Sequence, residues 1–130
     1  MTKTLRIFLV LALFALTACG GAVDETYTGV LEAGDDVQQT DNSLQDPYQF
    51  RTKQGYMIRI EMTSDELNPY LILSGPDGNK IGENDDAEAG STTARLELVA
   101  PADGTYHVLA NTAPGNTGNY TLHIQATEPQ

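Results

Sequence analysis

The sequence predicts an all-β fold: a single antiparallel β-sandwich or jelly-roll-like domain of about seven or eight short strands. Three observations carry this. Apolar residues recur at every second position, the period of a strand with one buried face. The alternating runs are separated by Gly75-Pro76-Asp77-Gly78, Pro101-Ala102-Asp103-Gly104 and the stretch 114–118. In such turns Pro pre-sets φ and Gly admits φ > 0. After Cys19 no segment shows helical periodicity.

The elements follow in order along 130 residues, a single-domain length. Residues 1–18 read as an export signal. Lys3 and Arg6 form a positive n-region, and 7–16 is an unbroken apolar run. A transmembrane helix needs about 20 such residues, the h-region of a signal peptide about 7–15. Leu16-Thr17-Ala18-Cys19 looks like a bacterial lipobox, with cleavage just before the cysteine. The expectation is a lipoprotein signal peptide over 1–18, then a lipidated Cys19 and short tether over 19–25. Diacylglycerol on the thiol and an acyl chain such as palmitate on the amine supply the several chains that stable anchoring needs. The competing reading is an ordinary secretory signal with an incidental cysteine.

Cys19 is the only cysteine. Once lipidated, it leaves no thiol for a disulfide or a cysteine metal site. Contact with the membrane through Cys19 and a place in the cell envelope follow. Gly20, rather than Asp, points to the outer membrane in a host with two membranes.

The domain itself is expected over 26–127. A first strand covers 27–31, an acidic loop 34–46 and a second strand 48–51. Over 56–62, Tyr56, Ile58, Ile60 and Met62 share one face, and Met57, Arg59 and Glu61 the other. Pro69–Ser74 is a denser apolar strand, and 82–91 a long acidic loop. In Thr93–Val99, Ala94, Leu96 and Leu98 oppose Arg95 and Glu97. Tyr106, Val108 and Ala110 then face one way, and Tyr120, Leu122 and Ile124 line the last strand. Tyr106 and Tyr120 are expected in the core with bonded hydroxyls, Tyr56 and Tyr70 half-exposed.

Without Lys3 and Arg6 the chain keeps Arg51, Lys53, Arg59, Lys80 and Arg95 against 18 Asp and Glu. Such a surface argues against nucleic acid, whose phosphates require cations, and against binding anionic lipid through the folded domain. It fits solubility, metal cations or basic partners.

The order of these signals resembles the bacterial pre-peptidase C-terminal domain, a β-sandwich appended to secreted proteases. The matching pieces are Gly29-Val30-Leu31-Glu32-Ala33-Gly34-Asp35, Tyr48-Gln49-Phe50, Gly55 with its following strand, and Asn68-Pro69-Tyr70-Leu71-Ile72-Leu73. They continue through Pro76-Asp77-Gly78, Asn84-Asp85-Asp86, Gly104-Thr105-Tyr106-His107-Val108 and Gly118-Asn119-Tyr120-Thr121-Leu122. The resemblance implies an accessory module. It further implies that some relatives, in collagenases, bind calcium and assist substrate binding. A lipobox stands here where a protease would precede the module.

Clustered oxygen ligands nominate one candidate site. Glu83, Asn84, Asp85, Asp86 and Glu88 crowd one segment, with Asp77 one hairpin away. Calcium takes six to eight oxygens from such groups, so these six are the candidate calcium ligands. Alternatively, Asn84 and Asp85 cap a turn through Asx-type bonds. His107 and His123 fall on polar faces and form no convergent zinc set. No Gly-x-Ser-x-Gly elbow is present, so no catalytic residue is assigned.

The functional expectation is a non-catalytic, membrane-anchored envelope lipoprotein acting as a binding or accessory module, its fold stabilised by calcium if the acidic loop is filled. Its partner is an envelope protein, a protease or a glycan, and not nucleic acid. The alternatives are a structural or stress-related lipoprotein without a ligand and, less favoured, a small hydrolase.

Overall fold

A computed structural model describes residues 21–34, 36–37, 44–85, 92–113 and 116–130. The signal, Cys19, Asp86 and Glu88 lie outside the described residues. Nine strands are described, all antiparallel. They are β1 (Val23–Leu31), β2 (Asp36–Val37), β3 (Leu44–Thr52), β4 (Met57–Thr63), β5 (Pro69–Ser74), β6 (Lys80–Asn84), β7 (Thr93–Val99), β8 (Gly104–Thr112) and β9 (Gly118–Thr127). One sheet has the order β1-β9-β4-β7, the other β2-β3-β8-β5-β6. The β-sandwich expected from the sequence is thus present, and β2 is only two residues long.

Period-two alternation places the core between the sheets. Ile58, Ile60 and Met62 of β4, Leu71 and Leu73 of β5, Val108 of β8 and Leu122 and Ile124 of β9 are fully buried. Burying such a side chain stabilises by about 1.5–3 kcal/mol. The opposite face of the four-stranded sheet carries the charges. Arg95 Nη2 lies 2.7 Å from Glu61 Oε2, and Arg59 Nε lies 3.3 Å from Glu97 Oε1.

The connections define two poles. The turns β3–β4, β5–β6 and β7–β8 lie at one end, together with the start of β1 and the end of β9. This is the proximal pole, because the N-terminal segment enters there. The connections β1–β2, β2–β3, β4–β5, β6–β7 and β8–β9 lie at the other end, the distal pole.

Four readings of the sequence are corrected. Residues 23–25, expected in the tether, begin β1 and pair with Ala126, Gln125 and Ile124. Main-chain pairing at a sheet edge is indifferent to the polarity of Asp24 and Glu25. The loop expected over 34–46 contains β2 and the start of β3. The loop expected over 82–91 begins with the last three residues of β6. Tyr56, expected half-exposed, is buried, and its hydroxyl donates to Glu128 Oε1 at 3.1 Å.

Candidate functional site at the distal pole

The proximal turns are tied by their own side chains. Gly78 takes φ 85°, which completes the β5–β6 turn where an L side chain would be strained. Asp77 accepts from the Asn79 backbone N–H and from its Nδ2, both at 3.0 Å. These bonds hold the Asp77 carboxyl below the usual carboxylate range. Tyr106, fully buried, donates to the Ala102 carbonyl at 2.6 Å and accepts from the Ala102 N–H at 3.3 Å. The expectation that it lies in the core with a bonded hydroxyl holds.

The distal pole is built from residues far apart in sequence. Thr28 pairs with Thr121, Thr121 with Thr63, and Thr63 with Thr93. One row of four threonines therefore crosses the whole four-stranded sheet, its members about 4.8 Å apart, the spacing of neighbouring strands. The row faces away from the core, because Met62, Ala94 and Leu122 beside it face inward. It floors a shallow cleft of about 430 Å³, walled by Ser64, Asp65, Glu66, Thr92 and Asn119.

The wall is fixed by a cap. Ser64 Oγ donates to the Asn119 carbonyl at 2.6 Å and accepts from the N–H groups of Glu66 and Leu67, both at 3.0 Å. Glu66 accepts from the backbone N–H and the Nδ2 of Asn119. Those bonds, the backbone one foremost, hold its carboxyl below the usual range. Ser64 is thus occupied as a turn cap, and neither histidine lines the cleft. His123 instead bonds Asp24 at 2.7 Å, and His107 is exposed on β8.

Beside the cleft, Tyr120 ties the two sheets together. Its ring passes directly over Gly29, where a Cβ would collide with it. Its hydroxyl reaches β3, donating to Asp46 Oδ2 at 2.6 Å and lying 2.5 Å from the Tyr48 hydroxyl. Burial above all, then Tyr48 and Asp46, pushes the Tyr120 hydroxyl far above the ordinary tyrosine range. It stays a donor at any physiological pH. The Tyr27 ring packs on Tyr48 with centroids 4.8 Å apart.

The predicted calcium ligands are dispersed where they are described. Asp77 lies at the proximal turn, while Asn84 and Asp85 lie at the distal end of β6, about 13 Å of strand beyond Lys80. Glu83 accepts from Tyr70 and pairs with Lys80 at 3.1 Å. Asn84 Oδ1 accepts from the Arg95 N–H at 3.1 Å, and Asp85 is exposed. Among the described residues, no group of three His, Cys, Asp or Glu is placed to hold a metal ion.

The charge is segregated between the poles. The distal stretches 32–46, 64–68, 82–92 and 113–117 contain no Lys or Arg. Their described acids include Glu32, Asp46, Asp65, Glu66 and Asp85, while Glu83 is paired with Lys80. The proximal pole holds Arg51, Lys53 and Lys80, and its acids Asp24, Asp77, Asp103 and Glu128 all accept internal hydrogen bonds. Sequence reading nominated a cluster at the end of β6 together with Asp77 of a proximal turn. It missed the threonine row and the Tyr120 tie, which only strand register brings together.

No family model and no curated protein matches this chain. Solved structures do. The chain is 16% identical to the pre-peptidase C-terminal domain of a collagenase from Bacillus anthracis, with a TM-score of 0.59, covering 78% of this chain and 89% of that one. It is 15% identical to PliG of Aeromonas hydrophila, a periplasmic lysozyme inhibitor of g-type lysozyme, with a TM-score of 0.57 and coverage of 84% and 90%. PliG of Salmonella Typhimurium gives 19%, 0.53, 80% and 91%. The chain therefore shares the fold of a pre-peptidase C-terminal domain and of these inhibitors.

Proposed function

We propose that this chain is a non-catalytic binding module of the cell envelope, held to the membrane by lipid on Cys19, whose distal pole receives a cationic protein. The observation that carries the reading is the segregation of charge. Every connection at the distal pole is free of Lys and Arg, and Asp65 and Glu66 wall an open polar cleft there. Complementary charge steers a basic partner to such a pole and rejects acidic ones. Calcium is not part of this reading, because Asp77, Glu83 and Asn84 already bind Asn79, Lys80 with Tyr70, and Arg95. Two of the solved structures that share the fold are periplasmic inhibitors of g-type lysozyme, which makes such a lysozyme the first partner to try.

The experiment is calorimetric titration of the lipoprotein in detergent with a purified g-type lysozyme, alongside the rate of cell-wall lysis. The expected result is saturable binding that weakens with salt, since exposed charges are screened within a Debye length of about 8 Å at physiological ionic strength. No heat and unchanged lysis, with this lysozyme and with other cationic envelope enzymes, overturns the reading in favour of a structural lipoprotein without a ligand.

A further inference from the structure

We propose that the proximal pole rests directly on a phospholipid surface, so that the sandwich stands upright with the distal pole turned away from the membrane. This rests on the reading that Cys19 is lipidated, and adds an orientation and a lipid contact to it.

The length of the tether comes first. The sequence suggested a tether reaching residue 25, which would leave the domain free to tumble. In the structure the fold begins at Gly21. Its carbonyl accepts from Thr52 Oγ1 at 2.5 Å, and the residue is buried against Tyr56 and Lys53. Only Gly20 separates Gly21 from Cys19. Two residues reach at most about 7 Å, less than the thickness of the sandwich. A lipid on Cys19 therefore brings the proximal pole to the headgroups.

The surface at that pole suits them. Met57 and Val99 are cross-strand partners at the proximal end of β4 and β7, and they are 44% and 54% exposed. Among the described residues only Val30 joins them as an exposed large hydrophobic side chain. Arg51 and Lys53 are exposed beside the Gly21 attachment, and no carboxylate pairs with either among the described residues. Exposed apolar side chains with nearby cations are the combination that binds the boundary between headgroups and acyl chains. The proximal acids are each turned to an internal donor, and the distal acids are repelled by anionic lipid.

The test uses the full lipoprotein reconstituted into vesicles of phosphatidylethanolamine and phosphatidylglycerol. With Cys19 acylated, an introduced cysteine is the sole free thiol. An environment-sensitive fluorophore is placed at Val99→Cys, and separately at Asp65→Cys on the distal wall. The Val99 label is expected to shift to the blue and to be quenched severalfold more by a lipid-borne quencher than the Asp65 label. Arg51→Gln combined with Lys53→Gln reduces that protection while the protein still floats with the vesicles. Equal exposure of both labels to an aqueous quencher, in a protein that floats and carries the acyl mass, overturns the orientation alone. A protein without acyl mass that stays in solution overturns the anchoring reading and this proposal together.

Discussion

The two poles are closed by different means. The proximal pole joins two local locks, Asp77 on Asn79 and Tyr106 on Ala102, to ties between distant segments, Gln54 on Asp103 and Tyr56 on Glu128. The distal pole is closed by long-range ties, Asp46 to Tyr120, Glu66 to Asn119 and Ser64 to Asn119, and it carries acids with no adjacent cation in the same connections. The proximal acids Asp77, Asp103 and Glu128 accept internal hydrogen bonds, while no carboxylate pairs with Arg51 or Lys53 among the described residues. The distal connections carry the exposed acids Asp65 and Asp85 and no Lys or Arg, so binding at that pole is expected to weaken with salt.

The largest effect is expected from Gly29→Val. A side chain there strikes the Tyr120 ring on the adjacent strand. Overpacking of this kind costs about 1–3 kcal/mol, a fall in melting temperature of roughly 4–8 °C per kcal/mol in a domain of this size. Tyr120→Phe comes next. Removing a donor from a carboxylate costs about 1.5–3 kcal/mol, and Asp46 loses its tyrosine. Tyr106→Phe at the proximal pole breaks a neutral bond to a carbonyl, at about 1 kcal/mol. Urea denaturation of the three variants checks this order.

Titration reads two of the distal ties. The Tyr120 hydroxyl is raised in the folded state, so its contribution is complete below the unfolded value of about 10 and is lost as pH rises above it. Alkaline unfolding is expected to begin there, and to lose part of its slope in Tyr120→Phe. Glu66 is lowered by Asn119, so its contribution is present above the unfolded carboxylate value and is lost as pH falls through the folded one. Glu66→Gln is expected to give the smallest effect, a flatter acid limb in the stability–pH curve. Thermal melts across pH read both limbs.

Much of the fold was legible because most strands have one face in the core and one in water. In β4, Ile58, Ile60 and Met62 alternate with Met57, Arg59 and Glu61, and the structure keeps that division. β6 escaped detection because it is an edge strand without alternation, interrupted by Gly82 and ending in Glu83 and Asn84. The start of β1 escaped because Asp24, Glu25 and Thr26 are all exposed and show no apolar alternation. The threonine row was not readable, since Thr28, Thr63, Thr93 and Thr121 are neighbours only in register. The charge segregation had a trace in the sequence. Most strands carry the chain from one end of the sandwich to the other, and the acid-rich stretches around Asp36, Asp65 and Asp85 all fall at the same end.

The central claim is that the distal pole, and not acidity in general, receives the partner. It is tested by two variants with the same change in net charge, Asp65→Asn with Asp85→Asn at the distal pole and Asp77→Asn with Asp103→Asn at the proximal one. Each is titrated in detergent with g-type lysozyme at low and physiological salt. The distal pair is predicted to weaken binding about tenfold, a loss of about 1.4 kcal/mol, and to flatten the salt dependence, while the proximal pair leaves both unchanged. Equal losses from the two pairs would contradict the account.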